Sequence, residues 1–232
     1  MLLLALDTAT PAVTVALHDG ERVLAAADPV DARRHGELLL PGIDGVLRAA
    51  SRSLDALTGI VVGTGPGPYT GLRVGLATAQ AIGAARELPV HGLCTLDGIA
   101  WATGRDEPFV VATDARRKEV YWARYADART RESGPAVDRP QDIAGRVAGV
   151  PAVGAGAVLY AGVFTGLLGE GRPLHASAAA LAALAAEKLA AGEALPAPLP
   201  RYLRRPDAQV PKNYKVVTPP LSAAPVRRAD GG

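Results

Sequence analysis

One cysteine, Cys94, stands in a chain of 232 residues, so no internal disulfide can form and the protein suits a reducing cytoplasm. No apolar run reaches the roughly 20 residues of a membrane-spanning helix, so no membrane association is expected. The stretch MLLLALD meets an acid at Asp7 without a basic leader and does not read as a signal peptide. Charge of one sign is also lacking: 25 bases and 23 acids leave a net of +2, too little to announce a nucleic-acid binder. The motifs of common enzymes are missing too. No serine sits in a GxSxG elbow, and no HExxH or His/Cys/Asp group has ligand spacing. The four histidines, His18, His35, His91 and His175, are scattered, and a lone cysteine such as Cys94 is usually core.

What is present is a globular chain, 49% apolar, long enough for two compact lobes. Its most conspicuous stretch is GTGPGPYTGLRVG, Gly63 to Gly75, between the apolar run GIVV and an amphipathic one. Strand, glycine loop and helix start is the layout that cradles phosphate. The loop is neither of the common nucleotide motifs, however. Gly71 is followed by Leu72 and Arg73, so the phosphate-reaching lysine is missing, and Thr70 stands where a third dinucleotide glycine belongs. The rival reading is a tight turn capped by the Thr70 hydroxyl.

The chain starts as strands: LLLALD, then AVTVALH after Pro11, then ERVLAAA after Asp19-Gly20. A helix is expected over His35 to Arg52, with Leu38, Leu39, Ile43, Val46 and Leu47 on one face. A second covers about Gly71 to Leu88, closed by Pro89. The pattern then restarts. LLLALDTATPAVTVALH from Leu2 and FVVATDARRKEVYWARY from Phe109 align at an offset of 107, matching Ala5 with Ala112, Asp7 with Asp114, Val13 with Val120 and Ala16 with Ala123. VPAVGAGAVLYAGVF repeats the strand, glycine turn (Gly154, Gly156) and helix, and SAAALAALAAEKLAAG is a helix with Ser177 as N-cap and Gly192 as terminator. The expected organisation is two related α/β lobes in an actin-like (ASKHA, RNase H-like) fold. Residues 1–106 form the first lobe, 107–200 the second, and 201–232 a closing segment and basic tail with seven bases against two acids. Such a tail is a solvated end or a contact for RNA phosphates.

In order and spacing, LALDTAT (4–10), RHGELLLPGI (34–43), GPGPYTGLRVG (65–75), TDARRKEVYWARY (113–125) and PRYLRRPDA (200–208) resemble the TsaB (YeaZ) family of tRNA threonylcarbamoyladenosine biosynthesis. Pro68, Tyr69 and Ala9 depart from the residues usual in that pattern. The resemblance implies a non-catalytic partner of a TsaD-like paralogue, which transfers threonylcarbamoyl to the adenine beside the anticodon in tRNAs reading ANN codons. It also implies a TsaE-like ATPase as a third member, a homodimer when the chain is alone, and tRNA reached through the complex. Against TsaD, Thr95 and Ile99 stand where the two metal-binding histidines belong, so neither metal nor cofactor is expected.

Two further expectations concern sites. Asp7 and Asp114 can be read as facing carboxylates for a hydrated magnesium, or as turn formers bonded to their own backbone. With Thr8, Thr10, Gly65, Gly67, Gly154 and Gly156 they form the expected vestigial or weak nucleotide-binding set. Gly71, Gly75, Ala79 and Gly83 recur every four residues and mark a narrow helix stripe. The stripe either packs inside the lobe or, with His35, Leu38, Leu39 and Arg73, docks a partner. The rival functions are an actin-like ATPase or phosphotransferase using the two aspartates, and a glycopeptidase-like hydrolase.

Overall fold

The structure is a computed structural model, and it describes residues 1–169 and 171–204. The first sheet is built from β1 (Leu3–Asp7), β2 (Thr14–His18) and β3 (Val23–Ala27), followed by α1 (His35–Ala49), β4 (Gly59–Gly63), α2 (Tyr69–Arg86) and β5 (Val90–Leu93). Its order is β3-β2-β1-β4-β5, antiparallel through β1 and parallel beyond it. Helix α3 (Thr95–Trp101) leads to the second sheet: β6 (Phe109–Asp114), β7 (Val120–Tyr125), β8 (Arg131–Asp138), α4 (Ala144–Val147), β9 (Pro151–Val153), α5 (Ala155–Leu159) and β10 (Gly166–Leu167). The order β8-β7-β6-β9-β10 repeats the first sheet strand for strand. The duplication expected from the sequence is thus present, and the fold is a two-lobed, actin-like α/β fold.

The alignment of the two hairpins needs one correction. Asp7 pairs with Thr14, whereas Asp114 pairs with Val120, so the second turn is one residue shorter. The aspartates and Ala5/Ala112 remain equivalent, but Ala16 corresponds to Trp122, not Ala123. The shorter turn closes through Arg116, Arg117 and Lys118, all left-handed at φ 63°, 53° and 63°.

The two lobes exchange helices. Chain order puts α3 after the first sheet, yet Leu96, Ile99 and Ala100 pack with Phe109, Val111, Ala123 and Tyr125 of the second. Conversely α6 (Ala178–Ala190), expected within the second lobe, buries Leu181, Ala182 and Ala185 against Leu3, Ala5, Ala16 and Val61 of the first. The alanine-rich face makes this packing close: a Cβ on Gly98 of α3 would lie 2.8 Å from Leu181. Ser177 caps α6 by accepting from Ala180 N–H at 3.3 Å, and Gly192 follows the helix at φ 75°. The sequence boundary at 106 therefore separates the sheets but not the packing units.

Candidate functional site

The turns of both hairpins and the first turn of α2 converge on a cleft. A cavity of about 230 Å³ opens there, lined by Thr8, Thr10, Arg33, His35, Thr70, Gly71, Asp114 and Arg116, among others. It is smaller than the ~300 Å³ at which drug-sized pockets begin. His35 Nε2 lies 2.8 Å from the Thr10 carbonyl, and its N–H donates there, fixing the start of α1 on the first turn. Thr10 Oγ1 accepts from Ala12 and Ala176, each at 3.3 Å.

Asp7 lies behind this cavity, without solvent exposure. Its Oδ1 accepts from Ala9 N–H at 2.8 Å, and its Oδ2 accepts from the Thr95 hydroxyl at 2.8 Å. Thr95 Oγ1 in turn accepts from Gly65 N–H at 3.1 Å, and Thr95 N–H donates to the Gly65 carbonyl at 2.9 Å. Strand β1, the glycine loop and α3 are thereby joined at one carboxylate. Burial pushes the Asp7 carboxyl up to about 6, held back by the Ala9 N–H, the Thr95 hydroxyl and His35. Gly63 closes the other side, since a Cβ there would fall 1.9 Å from Asp7 Oδ2.

Asp114 differs. Its Oδ1 accepts from Arg116 N–H at 2.8 Å, and Arg116 Nη1 lies 3.4 Å from Oδ2 at the cleft mouth. Of the expected nucleotide set, Thr8, Thr10 and Asp114 line the cavity, whereas Asp7 is sealed behind it. The loop glycines pack against their own hairpins. A Cβ on Gly67 would meet the Ala9 carbonyl at 2.2 Å, and one on Gly154, at φ 102°, would meet that of Ala112 at 2.3 Å. In both lobes the missing side chain lets the loop backbone approach the hairpin backbone.

Helix α2 shows why the small stripe exists. The Thr8 hydroxyl donates to the Gly71 carbonyl at 2.7 Å and accepts from Gly75 N–H at 3.0 Å, so it sits on the helical step between them. Cβ atoms at these glycines would stand 2.6 Å from the Thr8 carbonyl and 2.5 Å from Thr8 Oγ1. Ala79 is fully buried in the first-lobe core, and a Cβ on Gly83 would lie 2.3 Å from Val90. Gly71, Gly75, Ala79, Gly83 and the buried Leu39 therefore face their own lobe, which corrects the expectation that they form a docking stripe. Arg73 is exposed, and His35 and Leu38 are half-buried. The outward face of the helix pair instead carries Gly36, Leu40, Gly45, Ala77, Ala81 and Ala84. Thr70 is no cap either: the N-cap is Pro68, without a side-chain bond, and Thr70 lies exposed inside the helix.

Thr95 and Ile99, at the histidine positions of TsaD, are both fully buried. Among the described residues no group of three or more His, Cys, Asp or Glu side chains could hold a metal. Burial first, then the Asp97 charge, pushes the Cys94 thiol up to about 12, which makes it an inert core residue. Asp97 accepts from the Tyr125 hydroxyl at 2.8 Å and from Arg131 at 3.0 Å.

Sequence reading missed the segment that bridges the lobes. Gly92 N–H donates to the Pro196 carbonyl at 2.8 Å, and Arg201 N–H to that of Thr64 at 2.8 Å, laying the segment along the β5 edge. The Tyr202 ring then packs at a tilt of 31° on that of Tyr69, with centroids 5.3 Å apart. Arg204 donates to the Ala115 carbonyl at 3.1 Å and pairs with Glu119 beside the second turn. The signal was PRYLRRPDA, one of the five matching pieces; the basic tail beyond Arg204 lies outside the described residues.

A family model described as TsaD, tRNA N6-adenosine threonylcarbamoyltransferase, matches residues 29–166. An uncharacterized protein of Mycobacterium tuberculosis is 46% identical over 216 residues, 89% of this chain and 93% of that protein. The tRNA threonylcarbamoyladenosine biosynthesis protein TsaB of Escherichia coli is 38% identical over 128 residues, covering 54% of this chain and 55% of its own length. The solved structure of YeaZ from Pseudomonas aeruginosa superposes with a TM-score of 0.71 at 29% identity, covering 87% of this chain and all of that one. With a duplicated actin-like fold, the glycine loop seated on the first hairpin and these matches in sequence and structure, the chain belongs to the TsaB (YeaZ) family.

Proposed function

We infer that this chain serves tRNA threonylcarbamoyladenosine formation as a non-catalytic partner of a TsaD-like transferase. Its relatives named TsaB support the pathway, and the match to the TsaD model supports kinship with the transferase. The observation that carries the non-catalytic reading is the sealed Asp7. Its two oxygens are engaged by Ala9 and Thr95, and no space remains beside Gly63. An actin-like ATPase needs that carboxylate open to a hydrated cation, and a TsaD-type site needs histidines where Thr95 and Ile99 stand. The nucleotide set is thus read as a structural remnant of the fold.

The outward face of α1 and α2 is the proposed docking surface. Leu40 is 59% exposed there, with Gly36, Ala77 and Ala81 exposed on the same helix pair beside the charged Glu37 and Asp44, so an apolar anchor with a polar rim is on offer. The occupant is the TsaD-like paralogue, or a second copy when the chain is alone; a TsaE-like ATPase completes the assembly, and the setting is the cytoplasm.

The experiment is depletion of the chain, followed by mass measurement of threonylcarbamoyladenosine in bulk tRNA. Loss of the nucleoside, restored by the wild-type chain, supports the reading; unchanged levels overturn it. Purified chain should show no magnesium-dependent ATP turnover and no stoichiometric iron or zinc. Turnover or a bound metal would restore the ATPase or hydrolase alternative.

A further inference from the structure

The geometry points to a single-stranded RNA platform on this chain itself, formed by Tyr69, Arg73, Tyr202 and the turn 116–118 at the cleft mouth. The RNA as occupant rests on the pathway proposed above; direct contact by this subunit goes beyond it.

Two tyrosines at a surface call for an explanation in a chain with only 4% aromatic residues. Tyr69 is 55% exposed and Tyr202 45% exposed, although their rings contact each other at 5.3 Å. The Arg73 guanidinium lies over the Tyr69 ring, 4.5 Å from its centroid. Tyrosine faces with an arginine beside them bind unpaired bases without regard to sequence, since every base offers a π-face.

The adjoining charge fits the other half of such a ligand. Arg204 leads from Tyr202 to the Ala115 carbonyl, so the aromatic pair and the second turn are neighbours. That turn places Arg116 on the cavity that Pro68 and Thr70 also line, and leaves Lys118 exposed two residues on. Among the described residues no carboxylate lies within 4 Å of Arg73 or Lys118, so their charges are available to phosphate. A glycine-free turn with three consecutive left-handed residues is costly, and such strain collects at functional sites. The acids nearby, Asp114 and Glu119, are engaged by Arg116 and Arg204.

The test uses the full chain, so the tail is present in every sample. A fluorescein-labelled, unstructured 12-nucleotide RNA is titrated by anisotropy at low and moderate salt. Tyr202→Ala should weaken binding about tenfold or more, and Tyr202→Phe should bind like wild type. Lys118→Glu should make the salt dependence shallower, by about 0.7 in logarithmic slope for one lost phosphate contact. Melting temperatures verify that each variant is folded. The same sequence as DNA should bind comparably at the stacking face, because bases and phosphates are shared. Absence of RNA binding by the wild-type chain overturns the platform, as does equal binding by folded Tyr202→Ala. Loss of affinity for the TsaD-like partner in Tyr202→Ala, with RNA binding intact, would make this face a protein contact and also overturn it. In each failure the depletion experiment still stands or falls alone, so the two readings are separable.

Discussion

The hydroxyl of Thr95 donates to Asp7 Oδ2 at 2.8 Å, across 88 residues of chain and between units that belong to different sheets. The carboxylate at the end of β1 thus holds the first turn of α3, and α3 packs on the second sheet. The Asp7 carboxylate serves here as an internal fastener.

This relationship sets a pH dependence. The unfolded Asp7 carboxyl titrates near 3.8 and the folded one near 6. Below the first value both states are protonated, and stability is unaffected. Between them the folded state holds a proton that the unfolded state has lost, so stability falls as pH rises. Above about 6 the loss is complete, on the order of 3 kcal/mol for a shift of this size. Asp7→Asn keeps an acceptor for Ala9 and removes the ionisation. Its melting temperature should fall less than that of wild type between pH 4 and 6. Parallel curves would show that Asp7 does not titrate as described.

Ala79→Leu tests the inward stripe. Ala79 is without exposure in the core, so added volume should cost about 1–3 kcal/mol of folding stability, or about 2–4 °C for each kcal/mol in a chain of this length. Affinity for the TsaD-like partner should stay within a factor of two or three for the folded variant. Unchanged melting with lost affinity would return the stripe to the interface.

Ala77→Arg tests the outward face on the same helix. Ala77 is exposed, and an arginine there should leave melting within about 1 °C. Co-purification with the partner should weaken by tenfold or more, because a bulky charge blocks close helix approach. Normal assembly would remove this face as the docking surface.

The sequence carried much of this architecture because its signals are local. Strand–Asp–strand hairpins, glycine loops and the capped Ser177 helix each lie within a short window, and the duplication needs only a comparison of two windows. The helix exchange was not legible, since nothing in SAAALAALAAEKLA says which sheet it covers; that depends on packing with Leu3, Ala5 and Val61. The stripe on α2 was seen, but its direction was not. A small residue every fourth position marks a close approach, and only Thr8, 63 residues from Gly71, says that the approach is internal. Asp7 was read as either a carboxylate for a cation or a turn former, and its bond from Ala9 N–H is the turn former's; its partner Thr95 was noted only for not being histidine. The one-residue difference between hairpin turns escaped because chance identities at Val13/Val120 and Ala16/Ala123 favoured a constant offset.

Lys118→Gly separates strain from function in the second turn. Lys118 holds φ 63°, a conformation that costs a side-chain-bearing residue about 1–2 kcal/mol and glycine almost nothing. Glycine also gives the unfolded chain more freedom, which returns roughly 0.5–1 kcal/mol of that gain. The net expectation is stabilisation by up to about 1 kcal/mol, seen as a rise of about 2–4 °C in melting temperature. The same change removes one cation from the RNA platform, so oligonucleotide binding should weaken and its salt dependence should become shallower. A variant that melts lower than wild type would show that Lys118 contributes packing or pairing that outweighs its strain. A variant that melts higher and binds the oligonucleotide unchanged would leave the turn strained without a ligand to account for it.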